Sequence, residues 1–292
     1  MADDARLAHA GGVQSRRCLP YTCRLIPSPS RSPSVPDLQH CLQIACQAAD
    51  AADRIAMDYF GGSIQVETKS DDSPVTVADR EAEQAIRETL SRHFPDHGIH
   101  GEEFGRAGTG ETVWLIDPID GTRSFIRGLP FWSVQIALMH EGHIVAGVSS
   151  APALGERATA IAGQGARLGD QALSVAATDT IEAADVSFGN LQTLAADAPR
   201  WGRLATLVGR AARTRAYGDY WHYHQLARGG LDAVIESDVN ILDIAALSLV
   251  VTEAGGVFTD LEGKPVGLET TSVLAAATPA LHQALSGLLH GD

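Results

Sequence analysis

No stretch of this 292-residue chain reaches the roughly 18 consecutive apolar residues that a bilayer-spanning helix needs, which excludes a membrane-spanning reading. Positive charge is also in short supply. Lysine and arginine number 22 against 36 aspartates and glutamates, a formal net charge of −14. Without a general positive field to attract phosphates, nucleic acid is excluded as the main partner. A phosphorylated substrate then needs a cation or a local site to offset the acidic protein. Cysteine is scarce and confined to the first sixth of the chain, at Cys18, Cys23, Cys41 and Cys46. That placement would staple too little of the fold for a disulfide framework, and no histidine pair with zinc-like spacing accompanies it. Free thiols in a reducing, cytoplasmic setting are expected. A repeat of fixed short period is missing, and so is a nucleotide loop. Gly163, Gly165 and Gly169 lack the strand-to-helix context and the following Lys-Ser/Thr that such a loop requires.

What is present, 45% hydrophobic and 20% charged, suits a globular chain large enough to bury a sizeable core. Residues 1–36 stand apart. They hold Arg6, Arg16, Arg17, Arg24 and Arg31 and the run SPSRSPSVP, with acids only at Asp3 and Asp4. Such a segment buries too little apolar surface to order itself, which predicts a flexible tail; its basic, serine-rich character is equally compatible with a transit peptide or an extended start. Residues 37–292 are expected to form one domain of two packed lobes, about 37–180 and 181–292.

The helical recurrence of Leu38, Cys41, Leu42, Ala45, Ala49, Ala52 and Ala56 predicts a first helix capped by Asp37 and ended by Gly61-Gly62. A strand through Val66, a polar loop to Pro74 and a second helix from about Val75 to Phe94 follow. Further on, residues 131–139 and 144–150 read as a hairpin about Glu141-Gly142. Strands near 185–189, 233–235, 257–259 and 273–276 alternate with helices near 199–212, 220–229, 243–254 and 279–289. That alternation, with hairpins, predicts a mixed α+β protein in layers.

The densest chemistry lies at Trp114–Phe125, WLIDPIDGTRSF. Three apolar residues read as a buried strand that Pro118 should stop, because proline has no N–H for the ladder. Asp117 and Asp120 then leave one turn together. Adjacent buried carboxylates repel unless a cation lies between them, so this turn is either a divalent-metal site or merely an Asp-rich bend. Further acids stand at element ends: Asp79, Glu102 and Asp243.

Each of these acids has a characteristic setting: GEE at Gly101–Glu103, WLIDPIDGT at Trp114–Thr122, and LDIAA at Leu242–Ala246 followed by EAGG at Glu253–Gly256. In this order, over about residues 38–288, they resemble the inositol monophosphatase superfamily. The segments DGTRSFIRGLPFW, SAPALGERA and RAYGDYWHYHQLARGGLDAVIES are most like its bacterial histidinol-phosphatase branch. The resemblance implies a layered αβαβα fold, a homodimer, and Mg²⁺-dependent hydrolysis of a small phosphomonoester. It places one Mg²⁺ on Glu102, Asp117 and the Ile119 carbonyl, a second on Asp117, Asp120 and Asp243, and a third, weaker ion on Glu102 and waters. Hard oxygen donors suit Mg²⁺. By the same resemblance Thr122 and Asp79, with Glu102, orient and deprotonate the attacking water, and a threonine needs such a partner because its hydroxyl is a poor base. Gly121 and Thr122 should open a helix toward the phosphate. Leu242 stands where the family usually has tryptophan, an apolar substitution that leaves Asp243 in place.

By the same resemblance Glu236 stands where family members often place a carboxylate for the alcohol part, Asp219 where inositol-acting members have a small residue, and Asp243 also contacts the substrate; two carboxylates at Asp219 and Glu236 suit an ammonium. L-histidinol phosphate is therefore the expected substrate. Inositol phosphate is the runner-up, and a bisphosphate would need arginines such as Arg123, Arg127, Arg213 or Arg215 around a second phosphate. A metal-binding scaffold without activity would not require Thr122 or Asp79. His222 and His224 are expected to be packing residues, and Glu103 an outer or exposed acid.

Overall fold

The structure, a computed structural model, describes residues 36–62, 66–68 and 74–291. The chain divides into two units, Met1–Val35 and Pro36–Asp292, and all described residues belong to the second. The tail expected over residues 1–36, with Cys18 and Cys23, thus falls almost wholly outside the described residues, as do Ile64 and the loop at 69–73. Cys41 and Cys46 are free thiols, as expected.

The first segment runs through helix α1 (Leu38–Tyr59), strands β1 (Val66–Thr68) and β2 (Pro74–Thr76), helix α2 (Val77–His93) and strands β3 (Gly98–Gly101), β4 (Gly105–Ala107) and β5 (Thr112–Asp120). A single-turn helix α3 (Thr122–Ile126) follows, then β6 (Ser133–His140), β7 (His143–Ala151), β8 (Glu156–Ile161), β9 (Ala166–Leu168) and β10 (Gln171–Ala172). The second segment contains β11 (Asp185–Phe188), α4 (Leu191–Ala196), α5 (Ala198–Arg210), β12 (Arg213–Arg215), α6 (Asp219–Ala227), β13 (Ala233–Ser237), α7 (Ile241–Glu253), β14 (Val257–Thr259), β15 (Ser272–Ala276) and α8 (Pro279–His290).

Two sheets organise these elements. The larger has eight strands in the order β10-β9-β8-β7-β6-β5-β3-β4, and the smaller has five, in the order β12-β11-β13-β15-β14. Helices α1 and α2 lay Ile44, Ala48, Ala82 and Ile86 on Trp114, Ile116, Val134, Ile136 and Val148 of the large sheet. Its other face meets α6 and α7, through Leu115, Ala137 and Ala160, and the same helices pack on Val234, Val273 and Ala275 of the small sheet. Helices α5 and α8 cover the outer face of that sheet through Leu204, Leu207, Leu281 and Leu285 against Val186, Ile235 and Leu274. The order is αβαβα, the layered α+β architecture expected.

Helix α7 shows how sequence dictates this arrangement. It is apolar all the way round, with every residue from Ile244 to Val251 buried, and such a helix is stable only when enclosed between layers. Its approach to the large sheet is close: a Cβ added at Gly147 on β7 would stand 3.0 Å from the Ala246 Cα. Gly147→Val is therefore expected to overpack this layer at a cost of about 3 kcal/mol. In a domain of this size that lowers the melting temperature by roughly 6–12 °C in a calorimetric scan, and an unchanged midpoint would refute the close packing.

Several boundaries differ from the sequence reading. Pro118 does not end the strand: β5 continues to Asp120, where Asp120 still faces Ser133 and the irregularity is confined to the pairing between Asp117 and Asp120. A bulge absorbs the missing N–H locally without breaking the strand. Helix α7 begins at Ile241, not Asp243, because Asn240 is its cap. The one-turn helix α4 and the edge strand β12 carry too little periodicity to be seen in sequence. Among the described residues, no helix is long and apolar enough to cross a membrane.

Candidate active site

Strand β5 and helix α7 bring Asp117, Asp120 and Asp243 together, each offering an oxygen within 4.8 Å of the others. Both local structures are over-determined. The bulge at Pro118 turns Asp117 and Asp120 to the same end of the strand, and Asp117 Oδ1 accepts the Ile119 N–H at 3.0 Å. Asp243 sits in the first turn of α7 and closes a capping box by accepting the Asn240 N–H at 2.9 Å.

The electrostatics of this cluster are unfavourable without a cation. Asp117 is pushed well above the usual carboxylate range by burial first and then by the charge of Glu102. Asp120 is raised well above that range by burial and by Asp219 and Asp243. Asp243 is raised to about 7, chiefly by burial, although the Asn240 N–H opposes the shift. Carboxylates that oppose one another's ionisation this strongly form a site that a divalent ion would relieve, and the all-oxygen donor set fits a hard ion such as Mg²⁺.

Asp79 is buried on the first turn of α2. Its Oδ2 accepts the Thr76 N–H at 2.8 Å and the Thr76 hydroxyl at 2.5 Å, so it caps the helix, while Oδ1 stands 3.4 Å from the Thr122 hydroxyl. The capping bonds and the contact with Thr122 coexist. Thr122 Oγ is also 3.1 Å from the Ile119 carbonyl, so its one proton is shared between two acceptors. Gly121 starts the short helix α3 at φ 86°, where any side chain would be strained, and a Cβ there would stand 2.7 Å from the Phe131 carbonyl.

A cavity of about 100 Å³ adjoins the cluster, lined by Asp120, Asp219, Glu236 and Asp243 with Asn190, Tyr223 and apolar residues of α7. No arginine or lysine lines it. The Ser124 hydroxyl lies 3.3 Å from Asp219, and burial, helped by the charge of Glu236, raises Asp219 to about 6. Glu236 Oε2 accepts the Tyr223 hydroxyl at 2.5 Å and lies 3.1 Å from His222 Nε2.

The expected residues thus converge from six elements, β5, α2, α3, α6, β13 and α7, and the turn that carries Glu102. Arg123, Arg127, Arg213 and Arg215 are exposed and none lines this cavity. His222 and His224 are buried as packing residues should be, yet each also makes specific polar contacts. Glu103 is half-buried rather than exposed, with its N–H held 2.6 Å from Glu83.

Glu83 was not foreseen. It is fully buried, paired with Arg87 at 2.7 Å, and it also accepts the Phe104 N–H at 3.3 Å. The turn that carries Glu102 is therefore tied to α2, and a Cβ at Gly101 would collide with the Glu83 carboxylate at 2.1 Å. The signal was available: Glu83 lies one helical turn after Asp79, on the face that carries Ala82 and Ile86 inward.

Comparison with known proteins gives the family. The family model described as the inositol monophosphatase family matches residues 37–291. A histidinol-phosphatase of Streptomyces coelicolor is 42% identical over 266 residues, covering 88% of this chain and 99% of its own. An inositol-1-monophosphatase of Rhizobium meliloti is 34% identical, with 80% and 90% covered. Among solved structures, the extragenic suppressor protein suhB from Bartonella henselae superposes with a TM-score of 0.79 at 31% identity, covering 86% of this chain and 98% of that one.

Proposed function

Because this chain belongs to the inositol monophosphatase family, we propose that it is a magnesium-dependent phosphatase whose substrate is L-histidinol phosphate, released as L-histidinol and inorganic phosphate. Asp117, Asp120 and Asp243, with Glu102 and the Ile119 carbonyl, are the donors for magnesium. When bound, magnesium supplies Lewis-acid stabilisation of charge on the phosphoryl oxygens. The lobe of about residues 37–180 supplies every metal donor but Asp243 and receives the phosphate, and that of about 181–292 supplies Asp243 and completes the pocket for the alcohol. The working unit is a homodimer.

The chain's own residues supply position and proton transfer. Gly121 and Thr122, at the start of α3, face the phosphate. Thr122 holds the attacking water through its hydroxyl, and Asp79, with Glu102, draws the proton away. Burial raises the pKa of Asp79 from its ordinary value, which makes it a better base than a solvated aspartate. Water attacks phosphorus as the bond to the ester oxygen breaks, and that oxygen takes up a proton from solvent as it leaves as the alcohol, so that the proton drawn from the attacking water is returned to the medium.

One observation carries the choice of ester: the cavity beside the cluster presents Asp219 and Glu236 and no cation. An ammonium on the alcohol would pair with them, whereas a second phosphate would meet only acids. The relatives named histidinol-phosphatase, 37–42% identical, support the same reading. A panel of phosphate esters with and without magnesium tests it, and turnover of inositol phosphate at or above that of histidinol phosphate would reject the assignment. Asp219→Asn is expected to raise KM for histidinol phosphate about 10–100-fold with little change in kcat, since it removes one charge-assisted hydrogen bond. An unchanged KM would mean the amine does not reach Asp219.

A further inference from the structure

Asp120 is joined to the interior by a line of polar side chains that crosses three strands of the large sheet. The Ser133 hydroxyl lies 3.3 Å from Asp120 Oδ2, and Gln135 Nε2 lies 2.8 Å from Ser133 Oγ and 3.0 Å from Ser149 Oγ. Ser149 Oγ is 2.9 Å from His224 Nε2 on α6. His224 Nδ1 faces Glu156 Oε2 at 3.7 Å, and Glu156 faces Arg228 at 3.4 Å, toward solvent. Ser133, Gln135, Ser149 and His224 are each at most 1% exposed. Polar groups in such a core cost stability, and here the Gln135 Oε1 is buried without a hydrogen-bond partner. A core strand built for packing alone would carry apolar residues at these positions.

The line has a direction. An amide nitrogen only donates, so both serine oxygens accept from Gln135 and their own protons turn outward. The Ser133 proton then points to Asp120 and the Ser149 proton to His224 Nε2. That leaves the imidazole proton on Nδ1, facing the Glu156 carboxylate. Turning the Gln135 amide over would reverse every bond and deprive Asp120 of its donor.

We infer that Ser133, Gln135, Ser149 and His224 form a positioning chain that fixes Asp120 and ties it to helix α6, so that the metal site and the helix bearing Asp219 are set as one unit. This rests on the reading of Asp120 as a magnesium donor and Asp219 as a substrate contact. The chain explains why a glutamine with a stranded oxygen stands in the middle of a sheet, and why α6 carries a buried histidine one turn beyond Tyr220.

The test uses the full chain and two variants. Gln135→Leu keeps the volume and removes the bridge. It is expected to weaken magnesium binding, measured by calorimetry without substrate, about 10–100-fold and to lower kcat similarly. Its melting temperature should stay within about 4 °C of the parent, because the stranded oxygen is removed as well. Ser149→Ala cuts the link to α6 and should raise KM for histidinol phosphate with magnesium binding kept. Nitrogen-15 spectra of the histidine-labelled parent should show His224, identified by its loss in His224→Gln, with the proton on Nδ1. If Gln135→Leu fails to fold, Ser133→Ala provides the same magnesium measurement. A parent His224 protonated on Nε2 would overturn the inference, as would folded variants whose magnesium affinity, kcat and KM all stay within about twofold of the parent. A parent that neither binds magnesium nor releases phosphate overturns the proposed function first, and this inference with it.

Discussion

Asp117→Asn is expected to lower phosphate release by about three orders of magnitude or more while making the metal-free protein more stable. The loss follows from the place of Asp117 in the cluster, beside Asp120 and Asp243 and within the influence of the Glu102 charge. Losing its charge weakens the hold on magnesium, and removing metal-supplied stabilisation of several kcal/mol corresponds to a factor of about 10³ or greater. The gain in stability has the same origin with opposite sign. Asparagine keeps the size of the side chain and its acceptor for the Ile119 N–H, yet takes one of the mutually repelling charges out of a buried site. A substitution that merely damaged the fold would lower both activity and melting temperature. Measured side by side, kcat/KM with saturating magnesium and the melting temperature after metal stripping should therefore move in opposite directions. A variant retaining a tenth or more of the parent's activity would remove Asp117 from the metal site.

The elements that were legible in sequence are those in which one residue type has one physical use. Alternation of helix and strand patterns gave the layers, whereas the place of α7 between the two sheets came only with the structure. Glu102, Asp117, Asp120, Thr122 and Asp243 were legible as candidates because their local settings resemble one family's ordered motifs, and Asp79 by the same resemblance. Two kinds of feature were not. Pro118 reads as a strand breaker because sequence shows the missing N–H but not the bulge that absorbs it. Glu83, Ser133, Gln135 and Tyr223 are polar residues used in the interior, where each has meaning only through a partner distant in sequence: Glu83 through Glu103, Gln135 through Ser149, Tyr223 through Glu236. His222 and His224 were legible as buried, but burial alone said nothing of their hydrogen bonds. Substrate choice sits in this second class, which is why the reaction is easier to read than the ester.

The acid cluster also sets how magnesium and pH act together on stability. A carboxylic acid whose pKa in the folded chain lies above its unfolded value of about 4 binds more protons folded than unfolded between those two values. Its contribution is present in full below the unfolded pKa and is lost as pH rises through the folded one. Asp219, raised to about 6, and Asp243, raised to about 7, place that loss between about pH 4 and 7, and the upward shifts of Asp117 and Asp120 act in the same direction. The metal-stripped chain should accordingly melt at a lower temperature at pH 8 than at pH 6. On the proposed reading magnesium competes with protons for the ionised oxygens, so its effect should run the other way: slight at pH 5 and large at pH 8. At a hundredfold excess over its dissociation constant it adds about 2.7 kcal/mol, which for a domain of this size raises the midpoint by roughly 5–11 °C. Melting curves of stripped and magnesium-loaded protein at pH 5, 6 and 8 decide the matter. Equal magnesium shifts at pH 5 and pH 8, or a stripped chain that gains stability from pH 6 to 8, would show that these carboxylates are not held together as a cation site.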